Sequence, residues 1–169
     1  MSGVWGTRAE SPADVAAIRS IHLAAFETPA EADLVDALRA DSSWLPGLSV
    51  VATDRAGRVV GHALLTRCSI DATPALCLAP CAVLPEFQRR GAGTAAIRAA
   101  LDAARERGEA YVTVLGHPDY YPRFGFRRAS TCGIRVGVEV PDEALMAMTL
   151  DEARPLPAGM IRYAAPFGI

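Results

Sequence analysis

Apolar and polar positions along this chain follow two rhythms, one helical and one strand-like, and the changes between them mark the elements. Val4 to Arg8 is expected to form a short first strand. Ser11-Pro12-Ala13-Asp14 then reads as a helix start: Ser caps, Pro takes the first turn, and Asp complements the exposed amides. Val15, Ile18, Leu23 and Phe26 supply a partly helical apolar face. Thr28-Pro29-Ala30-Glu31 repeats the start signal as a capping box, and Leu34, Val35 and Leu38 follow at helical spacing.

Strand rhythm takes over next. Leu48 to Thr53, a turn at Arg55-Ala56-Gly57, and Val59 to Cys68 predict a hairpin, and a third run spans Ala75 to Leu84. Thr94 to Arg107 predicts a helix with Ile97, Ala100, Leu101 and Ala104 on one side and Gly108 as its stop. Tyr111 to Leu115 is a short strand of buried type. Weaker strand signals follow around Ile134 to Val140, Leu145 to Leu150 and Met160 to Ala164. This order predicts an α/β (α+β) mixed sheet with helices on both faces. With no repeat, low-complexity tract or linker, residues 1–169 are expected to form a single domain.

Composition narrows the class. Hydrophobic residues make up 51% and charged residues 21% of the 169, as in a folded globular protein. The longest apolar stretches are interrupted well short of the ~18 residues that a membrane span needs. The N-terminus has neither a basic leader nor an apolar signal core, so a cytoplasmic location and no membrane partner are expected. A net charge of −2 gives no electrostatic reason to bind nucleic acid. All 17 basic residues are Arg, and Lys and Asn are both missing, which excludes self-acetylation on lysine side chains and sequon glycosylation. Cys68, Cys77, Cys81 and Cys132 form no CxxC pair; they are expected to be reduced packing residues, with Cys77 and Cys81 facing one side of a strand and no metal bound.

The stretch from Val83 and Leu84 through Gln88-Arg89-Arg90-Gly91-Ala92-Gly93-Thr94 carries the most chemistry. A buried strand ends, two Arg and two Gly make a tight loop, and a long helix begins. Glycines let amides approach an anion, the helix start adds partial positive charge, and Arg89 and Arg90 add full charges. Such loops also occur as plain strand-to-helix turns. Gly91-Ala92-Gly93-Thr94-Ala95-Ala96 formally matches the dinucleotide pattern GxGxxA as well. That pattern needs an acid about 20 residues on, at the end of the next strand. Here that strand ends at Leu115-Gly116-His117 and the nearest acid is Asp119, which disfavours a nicotinamide or flavin reading.

Gln88-Arg89-Arg90-Gly91-Ala92-Gly93 resembles the Q/R-x-x-G-x-G/A signature of the GNAT N-acetyltransferases. Cys81-Ala82-Val83-Leu84-Pro85 is similar to the strand before that signature, and Tyr121-Pro122-Arg123-Phe124-Gly125-Phe126 to the family's Y-x-x-x-G-F element. Leu115-Gly116-His117-Pro118 running into Tyr120-Tyr121, with Thr28 to Arg39 and Val60-Gly61-His62, resembles one branch of predicted bacterial N-acetyltransferases. The resemblance covers most of the chain and is thinnest between Ser130 and Pro157.

The resemblance implies a central sheet splayed between the strand ending at Leu84 and the strand Tyr111 to Leu115. Acetyl-CoA would lie in that V as co-substrate. Its pantetheine would run along the open edge at Val83 and Leu84, and its pyrophosphate would sit on the amides of Arg89 to Thr94. Pro80 supports a splay independently, because a proline inside a buried strand is tolerated only at a bulge or open edge.

Direct attack by a primary amine, from a small molecule or a polypeptide N-terminus, is implied, with Tyr121 as general acid and the Val83 amide as oxyanion donor. Tyr120 is the alternative acid. Pro74 to Pro85 holds no Asp, Glu or His, so a base on that strand is not expected and a water-relayed path is. Glu27 and Glu31 are expected to border the acceptor mouth, Glu31 with a competing capping role. His117 and Asp119 would lie across the splay, His117 in turn chemistry, while His22 and His62 read as structural. Cys81 lacks a His partner for a covalent route. A non-catalytic acyl-CoA sensor and an enzyme for longer acyl groups, the latter decided near Leu78, Cys81 and Leu115, stay open as alternatives. The family also suggests a homodimer.

Overall fold

The computed structural model describes residues 5–169. The first strand, β1, runs Gly6–Ala9, so Val4 of the expected strand lies outside the described residues. A short 3₁₀ turn at Pro12–Asp14 leads into α1 (Val15–Ala25), followed by α2 (Ala30–Arg39). Strands β2 (Trp44–Thr53), β3 (Val59–Ile70) and β4 (Thr73–Leu78) form a meander, and β5 (Ala82–Val83) returns along β3. After a tight loop come α3 (Ala92–Glu106) and β6 (Tyr111–Leu115). The remainder supplies β7 (Arg127–Arg128), β8 (Ile134–Val136), β9 (Leu145–Thr149) and β10 (Gly159–Arg162). The strand order is β1-β2-β3-β4-β6-β9-β7, with β10 and β5 on β3 and β8 on β10. β4 and β6 are parallel while the meander is antiparallel, giving the expected mixed α/β sheet.

Period-two alternation divides the core. Val50, Ala52, Ala63, Leu65 and Leu76 face α3, whereas Val51 and Leu64 meet Ile18, Val35 and Leu38 of the helix pair on the opposite face. α3 docks through Ala92, Ala96, Ile97, Ala100, Leu101 and Ala104. Small residues in four of those places bring the helix axis close to the sheet, and Ile97 and Leu101 each gain about 1.5–3 kcal/mol from burial.

In α1 the buried face is Ile18, Ile21 and His22, and Leu23 points outward at 44% exposure, contrary to the expected Leu23 face. Helical spacing explains it: positions 18, 21 and 22 share one side and 23 lies about a quarter turn beyond. Arg19 binds Asp36 at 2.6 Å and Asp33 at 2.9 Å, locking α1 to α2. The capping box at Ser11 forms, with the Ser11 amide and hydroxyl both donating to Asp14. Arg8 joins them, and its guanidinium holds the Asp14 carboxyl well below the usual carboxylate range. The capping box expected at Thr28 does not form. α2 starts at Ala30, whose amide donates to Thr28 Oγ1 at 3.3 Å, and Glu31 is left free of capping.

Candidate functional site

The site begins at the irregularity around Pro80. Leu65 pairs with Leu78 in β3–β4, and His62 pairs with Ala82 in β3–β5. Two residues of β3, Ala63 and Leu64, therefore face three on the other side, and the extra residue sits at Ala79-Pro80-Cys81. This is a β-bulge, the one context in which a proline fits an interior strand. A one-residue slip moves every later side chain to the other face. Cys77 consequently packs toward Ala75 and Ile161, but Cys81 packs toward α3, which corrects the expectation that the two thiols share a side.

Beyond the bulge the sheet opens. β6 pairs with β4 only at Leu76–Val112 and Cys77–Thr113, and β5 pairs only with β3. The Leu84 amide donates to Val60 of β3 at 2.9 Å, so its hydrogen bond is spent within the sheet. Alternation then turns the amide of Val83 the other way, into the gap. Val83 is thus the free edge group, while Leu84 contributes packing alone.

At the far end of β5 the glycine loop closes tightly. Arg89 and Gly91 both adopt left-handed backbone, with φ of 64° and 91°. The first backbone bond of α3 runs from the Ala95 amide to Gly91, leaving the amides of Ala92, Gly93 and Thr94 without helical partners. Gln88 is engaged internally, its side chain donating to the Val83 carbonyl at 3.0 Å. Trp5 Nε1 holds the Arg90 carbonyl at 2.8 Å from behind. Gly93 lets α3 start close to β5, because a Cβ there would press on Val83 Cγ2 at 3.2 Å. Arg89 and Arg90 are exposed and form no ion pair among the described residues. Unpaired amides, two free guanidiniums and a helix start form a cradle suited to a pyrophosphate.

A cavity of about 590 Å³ occupies the gap. Tyr121 enters it from a 3₁₀ turn at Tyr121–Phe124, its ring edge-on to Tyr120 at 5.0 Å and Phe126 at 6.0 Å. Burial raises the Tyr121 phenol further above its ordinary value, so it stays protonated. Tyr120 is committed elsewhere, with its hydroxyl 2.9 Å from Thr94 Oγ1. Gly116, read from the sequence only as part of a turn, decides where Tyr121 sits: a Cβ at this position would collide with the ring edge. Its signal was only the Gly in the turn Gly-His-Pro.

Glu31 lines the cavity from the first turn of α2, but Glu27 is exposed and does not reach it. His117 also lines it, and its carbonyl accepts the Tyr120 amide at 3.1 Å, the turn role expected of it. Asp119 lies outside. Cys81 donates its thiol to the Ala79 carbonyl at 3.3 Å, and burial pushes it up to about 12, which suits a packing thiol rather than a nucleophile.

A model of the acetyltransferase (GNAT) family matches residues 15–126, the span that contains the loop, the bulge and Tyr121. The chain belongs to the GNAT family. Among its relatives, the uncharacterized N-acetyltransferase YjhQ of Escherichia coli K12 is 39% identical over 90% of this chain and 88% of its own length. The crystal structure of the GNAT N-acetyltransferase YhbS from E. coli, in complex with CoA, superposes with a TM-score of 0.90 at 29% identity, over 98% of this chain and 93% of that one. A GNAT acetyltransferase from Brucella melitensis in complex with acetyl-CoA gives 0.79, also at 29% identity, over 96% and 97% of the two chains. The splay expected from the GNAT resemblance is thus the observed fold.

Proposed function

We propose that this protein is an N-acetyltransferase that moves an acetyl group from acetyl-CoA to a primary amine by direct attack in a ternary complex. The observation that carries the reading is the bulge-opened gap, which puts a phosphate cradle, a free strand amide and a protonated tyrosine around one cavity. The CoA and acetyl-CoA complexes of the similar YhbS and B. melitensis proteins support the same ligand here.

The residues divide the work. Amides of Arg89 to Thr94 and the two guanidiniums hold the pyrophosphate, and the edge at Val83 aligns the pantetheine. Acetyl-CoA supplies the thioester. The Val83 amide donates to the carbonyl oxygen as negative charge develops there. As the nitrogen–carbon bond forms and the carbon–sulfur bond breaks, Tyr121 gives its proton to the departing sulfur. The amine's proton leaves through solvent at the mouth, where Glu31 is the carboxylate in place to accept it.

Calorimetric titration of acetyl-CoA into wild type and Gly91→Glu, with thiol release followed over a panel of amines, tests this reading. Binding that is lost in the variant, with amine-dependent release, supports it. Binding without release from any amine would point instead to an acyl-CoA sensor, and absence of binding would remove the assignment.

A further inference from the structure

The cavity is larger than an acyl group needs, and its two sides differ. One side is the open sheet edge, from Leu78 to Cys81 and from Thr113 to Leu115. The opposite side is built from elements distant in sequence: Phe26 at the end of α1, Leu34 of α2, and Tyr163, Phe167 and Ile169 beyond β10. On that second side the side chains are mainly hydrocarbon and aromatic, with the Tyr163 hydroxyl among them. Glu31 is the one acidic side chain lining the cavity among the described residues, and no Arg side chain lines it although the chain has 17. The thiols of Cys77 and Cys81 are both pushed up to about 12 by burial and are neutral. Glu31 makes no hydrogen bond or ion pair among the described residues, so its charge is available to a ligand.

Resting on the acetyltransferase reading above, we infer that the acceptor is a primary amine with a single positive charge on an apolar body. Its ammonium lies at Glu31 and its hydrocarbon lies against Phe26, Leu34 and Phe167. The exclusions follow from the same wall. A polyamine would bring several charges to one carboxylate and bury the rest unpaired, and an amino sugar would bury hydroxyls against carbon. A free amino acid would bring its own carboxylate to a surface with no Arg to pair it and with Glu31 to repel it. Two sources share the favoured chemistry: a free alkyl- or arylalkylamine, and a polypeptide N-terminus with a large apolar first residue.

The test measures kcat/KM at saturating acetyl-CoA for propylamine, hexylamine, 2-phenylethylamine, phenylalaninamide, a tetrapeptide starting with Phe, phenylalanine, spermidine and glucosamine. Expected is a rise of about fourfold per added methylene from propylamine to hexylamine. Hexylamine or phenylethylamine should exceed spermidine, glucosamine and phenylalanine at least tenfold. The free amine and the peptide arm identify the source by which is faster. Glu31→Gln should raise KM for these amines at least tenfold while the acetyl-CoA Kd is unchanged, and Ile169→Asp should shrink the hexylamine advantage. Turnover that favours spermidine, glucosamine or phenylalanine overturns the acceptor class and leaves the acetyltransferase reading intact. Failure to bind acetyl-CoA overturns that reading, and the acceptor class with it.

Discussion

Gly116 and Tyr121 make the sharpest pair at the scale of single residues. Gly116 follows β6, and the ring of Tyr121 fills the place where any Cβ would stand. An aromatic ring cannot fold away as the end of a flexible chain can, so Gly116→Ala must turn Tyr121 off its line into the cavity. The expected result is a tenfold or greater loss of kcat with acetyl-CoA affinity kept, read by steady-state kinetics beside calorimetry. Tyr121→Phe keeps the ring and removes only the proton donor. For that change kcat should fall by about 10²–10⁴, the usual worth of a general acid, with the fold and the acetyl-CoA Kd unchanged. If the phenylalanine variant turns over at the wild-type rate, Tyr121 packs and does not donate.

Elements meet most closely in a buried polar line that joins α1, β3 and β2. His22 Nε2 lies 2.9 Å from His62 Nδ1, and His62 Nε2 lies 2.8 Å from Ser49 Oγ. Ser49 in turn donates to Glu10, which Arg39 of α2 holds with two bonds of 3.1 Å. Both rings are fully buried, and burial depresses them, His22 to about 4 and His62 well below the ordinary 6.5. Unfolded chains bind more protons than the native state below pH 6.5, so the line contributes its full stability above that value. Stability should drop as pH falls from about 6.5 toward 4, by about 1.4 kcal/mol per pH unit for each ring kept neutral. Urea unfolding at pH 7 and pH 5 measures it, and equal midpoints would contradict the neutral pair.

The same scale shows what the sequence could carry. Pro80 announced the bulge because a proline has few lawful places in a sheet, and the glycine loop announced itself through spacing. The helix start at Ser11 was legible, whereas the box read at Thr28 does not form. A Pro at the cap position starts α2 without Glu31, which becomes free for the cavity. The apolar wall was invisible for a different reason. Phe26 and Leu34 read locally as helix packing and Tyr163 as part of a weak strand, and only the tertiary path brings them with Phe167 to one surface.

For the whole molecule, the gap proposed to admit acetyl-CoA is also where the sheet is least tied together. Among the described residues no ladder bond joins β4 or β5 to β6 past Cys77 and Thr113, and the two halves are connected there through α3 and the Tyr120–Thr94 contact at 2.9 Å. A ligand that pairs with the edge of β5, the start of α3 and the side of Tyr121 would clamp both halves at once. Binding to the native state alone stabilises by about 2.7 kcal/mol at a hundredfold excess over Kd. For a protein of 169 residues each kcal/mol raises Tm by roughly 2–4 °C, so acetyl-CoA at that excess should raise it by about 5–10 °C. Gly91→Glu should unfold below the wild-type temperature without ligand, because a φ of 91° strains any L side chain, and show no such rise, since it sets a carboxylate on the loop beside the proposed phosphate cradle. A variant that still gains the full shift would place the pyrophosphate elsewhere than on the loop, because the carboxylate would then stand beside nothing it could repel.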